Sequence, residues 1–122
     1  MSGILLDTNS VIYFFDGEEV VSDLISNATV GIFISCITKI ELLCFETDDK
    51  DAIKGINDFL KEIEILYIDD EIIDRAVNYR KHHKFKVPDA IIAATAAARE
   101  LTLVSADKAF QKISDIKLIS PL

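Results

Sequence analysis

The stretch Gly3-Ile4-Leu5-Leu6-Asp7-Thr8-Asn9 is a short apolar run that ends in three polar residues. An apolar run of this length predicts a β-strand, and Asp-Thr-Asn is typical of the residues that begin a helix. A strand that is apolar at successive positions is favoured where both faces of a sheet are covered. The stretch therefore predicts a first strand, at residues 3–7, buried inside an α/β fold.

The rest of the chain alternates apolar runs with helical patterns. Further strands are predicted at residues 31–35, 65–68, 102–105 and 116–119. Helices are predicted at residues 11–15, 18–27, 37–45, 48–62, 69–83, 89–100 and 107–113. Such alternation implies a parallel sheet with helices on both faces, and ligands of such sheets bind beyond the carboxyl ends of the strands.

Length and composition suggest a globular chain of 122 residues forming one domain, residues 1–122. It shows no apolar run of the roughly 20 residues that span a membrane, and no basic leader, so a cytoplasmic protein is expected. Cys36 and Cys44 would lie about 12 Å apart on one helix, which predicts two free, buried thiols. The net charge of −8 argues weakly against nucleic acid unless basic residues are concentrated locally or metal ions are bound.

Four acids occupy positions where a site would form. Asp7 and Asp107 follow predicted strands, Asp89 begins a predicted helix, and Glu41 lies within an otherwise apolar helix. Taken singly, each has a simpler interpretation, because Asp7, Asp89 and Asp107 suit helix starts and Glu41 suits a narrow exposed face. Together they can converge on one edge of the sheet.

Converging carboxylates repel one another unless a cation lies among them. Ligands that are all oxygen favour Mg²⁺ or Mn²⁺, and two such ions can activate water and stabilise the leaving oxygen in phosphodiester hydrolysis. The four acids therefore predict a divalent metal site.

Four segments around these acids resemble the signature segments of PIN-domain nucleases, above all the VapC-type toxins of toxin–antitoxin modules. They follow the family's order and span residues 4–119: Leu5-Leu6-Asp7-Thr8-Asn9, Thr38-Lys39-Ile40-Glu41-Leu42, Val87-Pro88-Asp89-Ala90-Ile91-Ile92-Ala93-Ala94 and Leu103-Val104-Ser105-Ala106-Asp107.

The resemblance implies a PIN-like three-layer fold, with a five-stranded parallel sheet in the order 3-2-1-4-5. It implies a Mg²⁺- or Mn²⁺-dependent endoribonuclease, an RNA substrate, a cognate antitoxin that blocks the site, and a homodimer. The acidic quartet of the family falls on Asp7, Glu41, Asp89 and Asp107, and its polar supporting positions on Thr8, Asn9 and Ser105. Many members have another acid where this chain has Ala109, which suggests one tightly held ion and a second that arrives with substrate.

One dense basic run precedes Asp89: Arg80-Lys81-His82-His83-Lys84-Phe85-Lys86. Four of its residues are predicted to bind RNA phosphates, with Phe85 available for base stacking: Arg80, Lys81, Lys84 and Lys86. The simpler interpretation is a helix end whose charges suit the helix dipole, with His82 and His83 solvated.

Other classes fit less well. A haloacid-dehalogenase-type phosphatase needs a second Asp at the position of Asn9, and a response-regulator receiver needs paired acids near its start and a phosphoacceptor after the third strand. A degenerate PIN domain that binds RNA or protein without catalysis is the main alternative, and the presence of all four acids argues against it.

Overall fold

The computed structural model describes residues 3–122, so Met1 and Ser2 lie outside the described residues. The strands are β1 (Gly3–Leu6), β2 (Gly31–Ser35), β3 (Glu64–Leu66), β4 (Thr102–Val104) and β5 (Lys117–Ile119). The α-helices are α1 (Thr8–Phe15), α2 (Glu19–Ser26), α3 (Cys36–Leu43), α4 (Lys50–Glu62), α5 (Asp70–His83) and α6 (Val87–Ala98), and a 3-10 helix covers Lys108–Lys112.

The five strands form one parallel sheet in the order β3-β2-β1-β4-β5, which confirms the predicted fold class and strand order. The first strand lies at its centre, since Ile4 pairs with Ile32 on one side and with Thr102 on the other. The strand order reverses at β1, so the carboxyl end of β1 is a switch point of the kind where α/β sheets bind ligands.

Alternation along β1 directs side chains into two separate cores. Leu5 joins the core formed with α5 and α6. Ile4 and Leu6 join the core formed with α1, α2 and α4. The small side chains of α6 are almost all buried, which lets this helix lie close to the sheet and to α5. The three layers and the helices on both faces therefore agree with the prediction.

Two helices begin earlier than the sequence pattern indicated. Helix α1 begins at Thr8 rather than Val11, because the Asp7 side chain accepts the Ser10 backbone N–H and caps the first turn. Helix α6 begins at Val87 rather than Asp89, with Pro88 in its first turn, where a missing N–H removes no helical hydrogen bond. The first difference makes Asp7 the N-cap of α1, and the second places Asp89 two residues inside α6.

The cysteine prediction was right about the thiols and wrong about their burial. Cys36 and Cys44 are both free, but Cys36 is half-buried and Cys44 is exposed. Cys44 follows the last residue of α3 as its C-cap, which leaves it outside the packed face of the helix. No helix within residues 3–122 combines the length and the apolar character needed to cross a membrane.

Candidate functional site

A small cavity of about 120 Å³ lies at the carboxyl ends of the central strands and brings the four predicted acids together. Its lining consists of the acids, two of the predicted supporting residues and two apolar side chains: Asp7, Glu41, Asp89, Asp107, Thr8, Asn9, Ile92 and Phe110. Ser105, the third supporting residue, does not line it.

Asp7 is held by the strand before it and by the helix after it. Its backbone N–H donates to the Val104 carbonyl at 3.2 Å, and its Oδ1 accepts the Ser10 N–H at 2.8 Å. The Ser10 hydroxyl donates to the same Val104 carbonyl at 2.8 Å, so β1, α1 and β4 meet at this point. Asp7 is 7% exposed, and one carboxylate oxygen, Oδ1, serves as a helix cap.

Asp107 is presented by a tight turn after β4. Its Oδ1 accepts the Ala109 N–H at 2.9 Å, which caps the 3-10 helix. Its own backbone N–H donates to the hydroxyl of the buried Ser105 at 3.0 Å. Ser105 therefore stabilises the turn that carries Asp107 rather than contacting the cavity.

A hydroxyl pair orients Glu41. The Thr8 Oγ1 lies 2.6 Å from the Glu41 Oε1 and 3.1 Å from the Thr38 Oγ1. Because Thr8 has one hydroxyl proton and a carboxylate only accepts, Thr8 donates to Glu41 and accepts from Thr38. Thr38 is fully buried beneath Thr8 and Glu41. Thr38 lies in the second of the four signature segments, but no role was predicted for it; its position three residues before Glu41 on one helix was the available signal.

Asp89 is the third residue of α6 and is half-buried at the wall of the cavity. Burial raises the pKa of its carboxyl above the ordinary value, and the negative charges of Asp107, Glu41 and Asp7 raise it further. Lys86 opposes this rise. The three other acids are thus close enough to act electrostatically on Asp89.

The donor chemistry of the cavity fits a hard divalent cation, because the four acids and Thr8 offer only oxygen atoms. Asp7 and Asp107 each use Oδ1 in a helix cap, which leaves Oδ2 for a ligand. Within residues 3–122, however, no three His, Cys, Asp or Glu side chains are already positioned to hold a metal ion. The acids would have to move together around an ion.

The predicted basic run borders this region with its lysines outward. Lys81, Lys84 and Lys86 are exposed, whereas the Arg80 guanidinium donates to the Phe85 carbonyl at 2.7 Å and fixes the turn between α5 and α6. The expectation that Phe85 is available to stack on RNA bases was wrong. Phe85 is 6% exposed and stacks on Phe110 inside the core, because its large apolar ring gains more from burial there.

A larger cavity of about 600 Å³ lies at the opposite end of the strands, near Gly3 and Thr102. Its charged lining is partly neutralised, since Arg75 pairs with Glu71 at 3.3 Å and with Asp115 at 3.4 Å. It contains none of the residues predicted for the site.

Comparisons with known proteins agree with this architecture. The family model for the PIN domain matches residues 4–116. A toxin–antitoxin complex from Klebsiella pneumoniae contains a chain with 28% identity and a TM-score of 0.82, with 98% of each chain covered. No curated protein sequence matches.

Two further solved structures share the fold at lower identity. VapBC2 from Rickettsia felis, bound to a promoter DNA fragment, has a TM-score of 0.86 at 20% identity, covering 97% of this chain and 98% of the other. DNA-bound VapBC from Salmonella typhimurium has a TM-score of 0.84 at 21% identity, covering all of both chains. Because the family model spans nearly the whole chain, as does the structural likeness, the chain belongs to the PIN domain family.

Proposed function

We propose that this protein is a Mg²⁺- or Mn²⁺-dependent endoribonuclease that acts in the cytoplasm as the toxin of a toxin–antitoxin pair. The observation that supports the proposal most directly is the cavity lined by Asp7, Glu41, Asp89 and Asp107. Membership of a nuclease family supports hydrolysis of a nucleic acid. The basic run at residues 80–86 supports a polyanionic substrate.

The side chains would divide the work of phosphodiester hydrolysis. A divalent ion held there would supply the chemistry of lowering the pKa of water and of offsetting negative charge on the phosphate. Asp7, Asp89 and Asp107 would hold the ion through their free oxygens, while Thr8 fixes the direction of Glu41. Asn9 lines the cavity and would hydrogen-bond the substrate or an ordered water.

The Asp7→Asn variant tests the proposal. Asn keeps a side-chain oxygen that can accept the Ser10 N–H, so the helix cap and the fold should persist. We expect Mn²⁺-dependent cleavage of a mixed RNA pool to fall at least about a hundredfold, the scale of several kcal/mol of lost transition-state stabilisation. The Asp23→Asn variant, on the exposed surface of α2, is the matched control and should cleave normally.

Cleavage by Asp7→Asn near the wild-type rate, or cleavage that survives EDTA, would contradict the proposed site. Absence of cleavage in the wild type with Mn²⁺ would favour the degenerate binding module instead.

The antitoxin partner rests on the solved complexes and on a groove beside the acids. An apolar groove of about 410 Å³ between α1, α3 and α4 shares Thr8 and Glu41 with the acidic cavity. A partner segment in this groove would therefore also cover the site. A homodimer is proposed on the resemblance to VapC-type toxins, and the product of a neighbouring gene is the first antitoxin to test by co-purification.

A further inference from the structure

Two segments beside the acidic cavity are joined by a pair of stacked rings. The centroids of the Phe85 and Phe110 rings lie 5.5 Å apart, with an interplanar angle of 16°. Both side chains are buried, and Phe110 also lines the cavity. The turn that precedes α6 and the 3-10 helix that follows Asp107 are therefore held together next to the acids.

Exposed lysines flank both buried rings. Lys84 and Lys86 adjoin Phe85, and Lys108 and Lys112 stand two residues before and after Phe110. In a helix with three residues per turn, residues two positions away from a buried side chain point away from it. The four exposed residues, Lys84, Lys86, Lys108 and Lys112, are named here the lysine rim.

The rim lysines are free to bind a ligand. The ion pairs formed by residues 3–122 involve Lys54, Arg75 and Arg99, and none of them involves a rim lysine. Unpaired ammonium groups gathered beside an acidic cavity, on a chain with a net charge of −8, provide the local positive charge that a polyanion requires.

Lys84 occupies a backbone position that favours glycine. It is the C-cap of α5, with φ 57° and ψ 32°, in the left-handed region. Glycine at this position would therefore be tolerated without strain, which allows the lysine charge to be removed while the backbone is preserved.

We infer that the lysine rim holds the phosphates of an RNA strand beside the acidic cavity, with Lys108 and Lys112 contributing alongside Lys84 and Lys86. The inference rests on the proposed function for its choice of RNA, and it adds the 3-10 helix to the RNA-binding surface predicted at the basic run.

The test measures binding of a short, labelled, single-stranded RNA by fluorescence anisotropy in EDTA, which prevents metal-dependent cleavage. We expect Lys108→Gln with Lys112→Gln to weaken binding about tenfold at low salt. The slope of log affinity against log salt should fall by about 1.4, since each single-strand phosphate contact contributes about 0.7. The control, Lys61→Gln with Lys117→Gln, changes the net charge equally on α4 and β5 and should alter affinity less than about twofold.

Lys84→Gly provides a second variant that keeps the fold. It should weaken RNA binding while its melting temperature stays at or above that of the wild type. If the wild type binds RNA through the lysine rim but does not cleave RNA with Mn²⁺, the result would support the inference and contradict the proposed function.

Equal losses of RNA affinity in the rim double variant and the control double variant would overturn the inference, because the change in net charge alone would then explain both losses. No RNA binding by the wild type would overturn it as well. Binding of polyglutamate as tight as that of RNA, with the same loss in the rim variants, would instead assign the rim to an acidic protein segment.

Discussion

At the scale of single residues, three of the cavity's acids are held by contacts that use one carboxylate oxygen. Asp7 and Asp107 cap helices with Oδ1, and Glu41 accepts from Thr8 with Oε1. Helix capping and metal binding were competing interpretations of Asp7 and Asp107 in the sequence. The geometry makes them compatible, because a cap fixes the carboxylate and leaves its second oxygen for a ligand.

Thr38 is expected to act as a positioning residue through Thr8. The Thr38→Val variant keeps the shape of the side chain but removes the hydroxyl that donates to Thr8. We expect kcat for RNA cleavage to fall about fivefold to tenfold, the equivalent of one hydrogen bond of about 1 kcal/mol, with little change in KM.

The Thr38→Ser variant is the control for this prediction. It restores the hydroxyl while losing a buried methyl group, so it should recover kcat even though its melting temperature falls. A Ser variant as slow as the Val variant would assign Thr38 to packing alone.

Asp89 is expected to oppose folding when no cation is bound. Its raised pKa means that the folded state favours the protonated carboxyl. The stability contributed by the protonated carboxyl is fully present below its ordinary pKa and is lost as pH rises through the raised pKa. The ionised carboxylate of Asp89 is therefore unfavourable in the folded state at neutral pH. Asp89→Asn should therefore melt at a higher temperature than wild type in EDTA at pH 7, and the difference should shrink on acidification.

Magnesium should then stabilise the wild type more than Asp89→Asn, because the proposed metal site is formed only in the folded protein and would include Asp89. If Asp89 acts only through a favourable interaction with the dipole of α6, its replacement by Asn would instead lower the free energy of unfolding by up to about 1 kcal/mol. If Asp89→Asn is less stable than the wild type and magnesium stabilises both proteins equally, Asp89 is not part of the proposed site.

At the scale of elements, α6 ends in a reverse turn built from two backbone hydrogen bonds. The Leu101 N–H donates to the Ala96 carbonyl at 2.9 Å, and the Glu100 N–H donates to the Ala97 carbonyl at 3.3 Å. This pattern places one residue in the left-handed region, where glycine is usual. Here that residue is Glu100, with φ 56°.

Glu100→Gly is expected to stabilise the protein by about 0.5 kcal/mol, since relief of the left-handed strain exceeds the added freedom of glycine in the unfolded chain. Chemical denaturation measures the change. Glu100→Ala retains the strain and serves as the control; an equal gain in both variants would show that removal of the charge, rather than the backbone, is responsible.

The elements also show what could be predicted from the sequence. Apolar strands and capping residues were sufficient to predict the sheet, and the four-segment resemblance gave the strand order and the acids. Phe85 was misassigned because a basic run does not reveal that Phe110, twenty-five residues later, stacks on its ring. Thr38 was overlooked because its role depends on Thr8, which approaches it only when α1 and α3 pack together.

At the scale of the whole molecule, screening of the net charge and binding of an ion at the acidic cavity should have separable effects on the melting temperature. The chain has 21 acidic and 13 basic side chains, so sodium chloride should stabilise it in EDTA by screening general repulsion. If the proposed metal site is correct, magnesium chloride at matched ionic strength should raise the melting temperature further, with saturation, because the ion would also bind in the cavity. Identical responses to the two salts would show that screening alone acts.

The central position of β1 also has a consequence for the timing of synthesis. Asp7 is made nearly a hundred residues before Val104, yet its backbone N–H donates to the Val104 carbonyl. Strand β1 accordingly pairs with β2, which is made soon after it, and with β4, which is made much later. Until the ribosome has released the segment through Asp107, the sheet lacks one of its central pairings and the cavity lacks a wall. A nascent chain therefore cannot assemble the complete acidic cavity before the segment through Asp107 has left the ribosome.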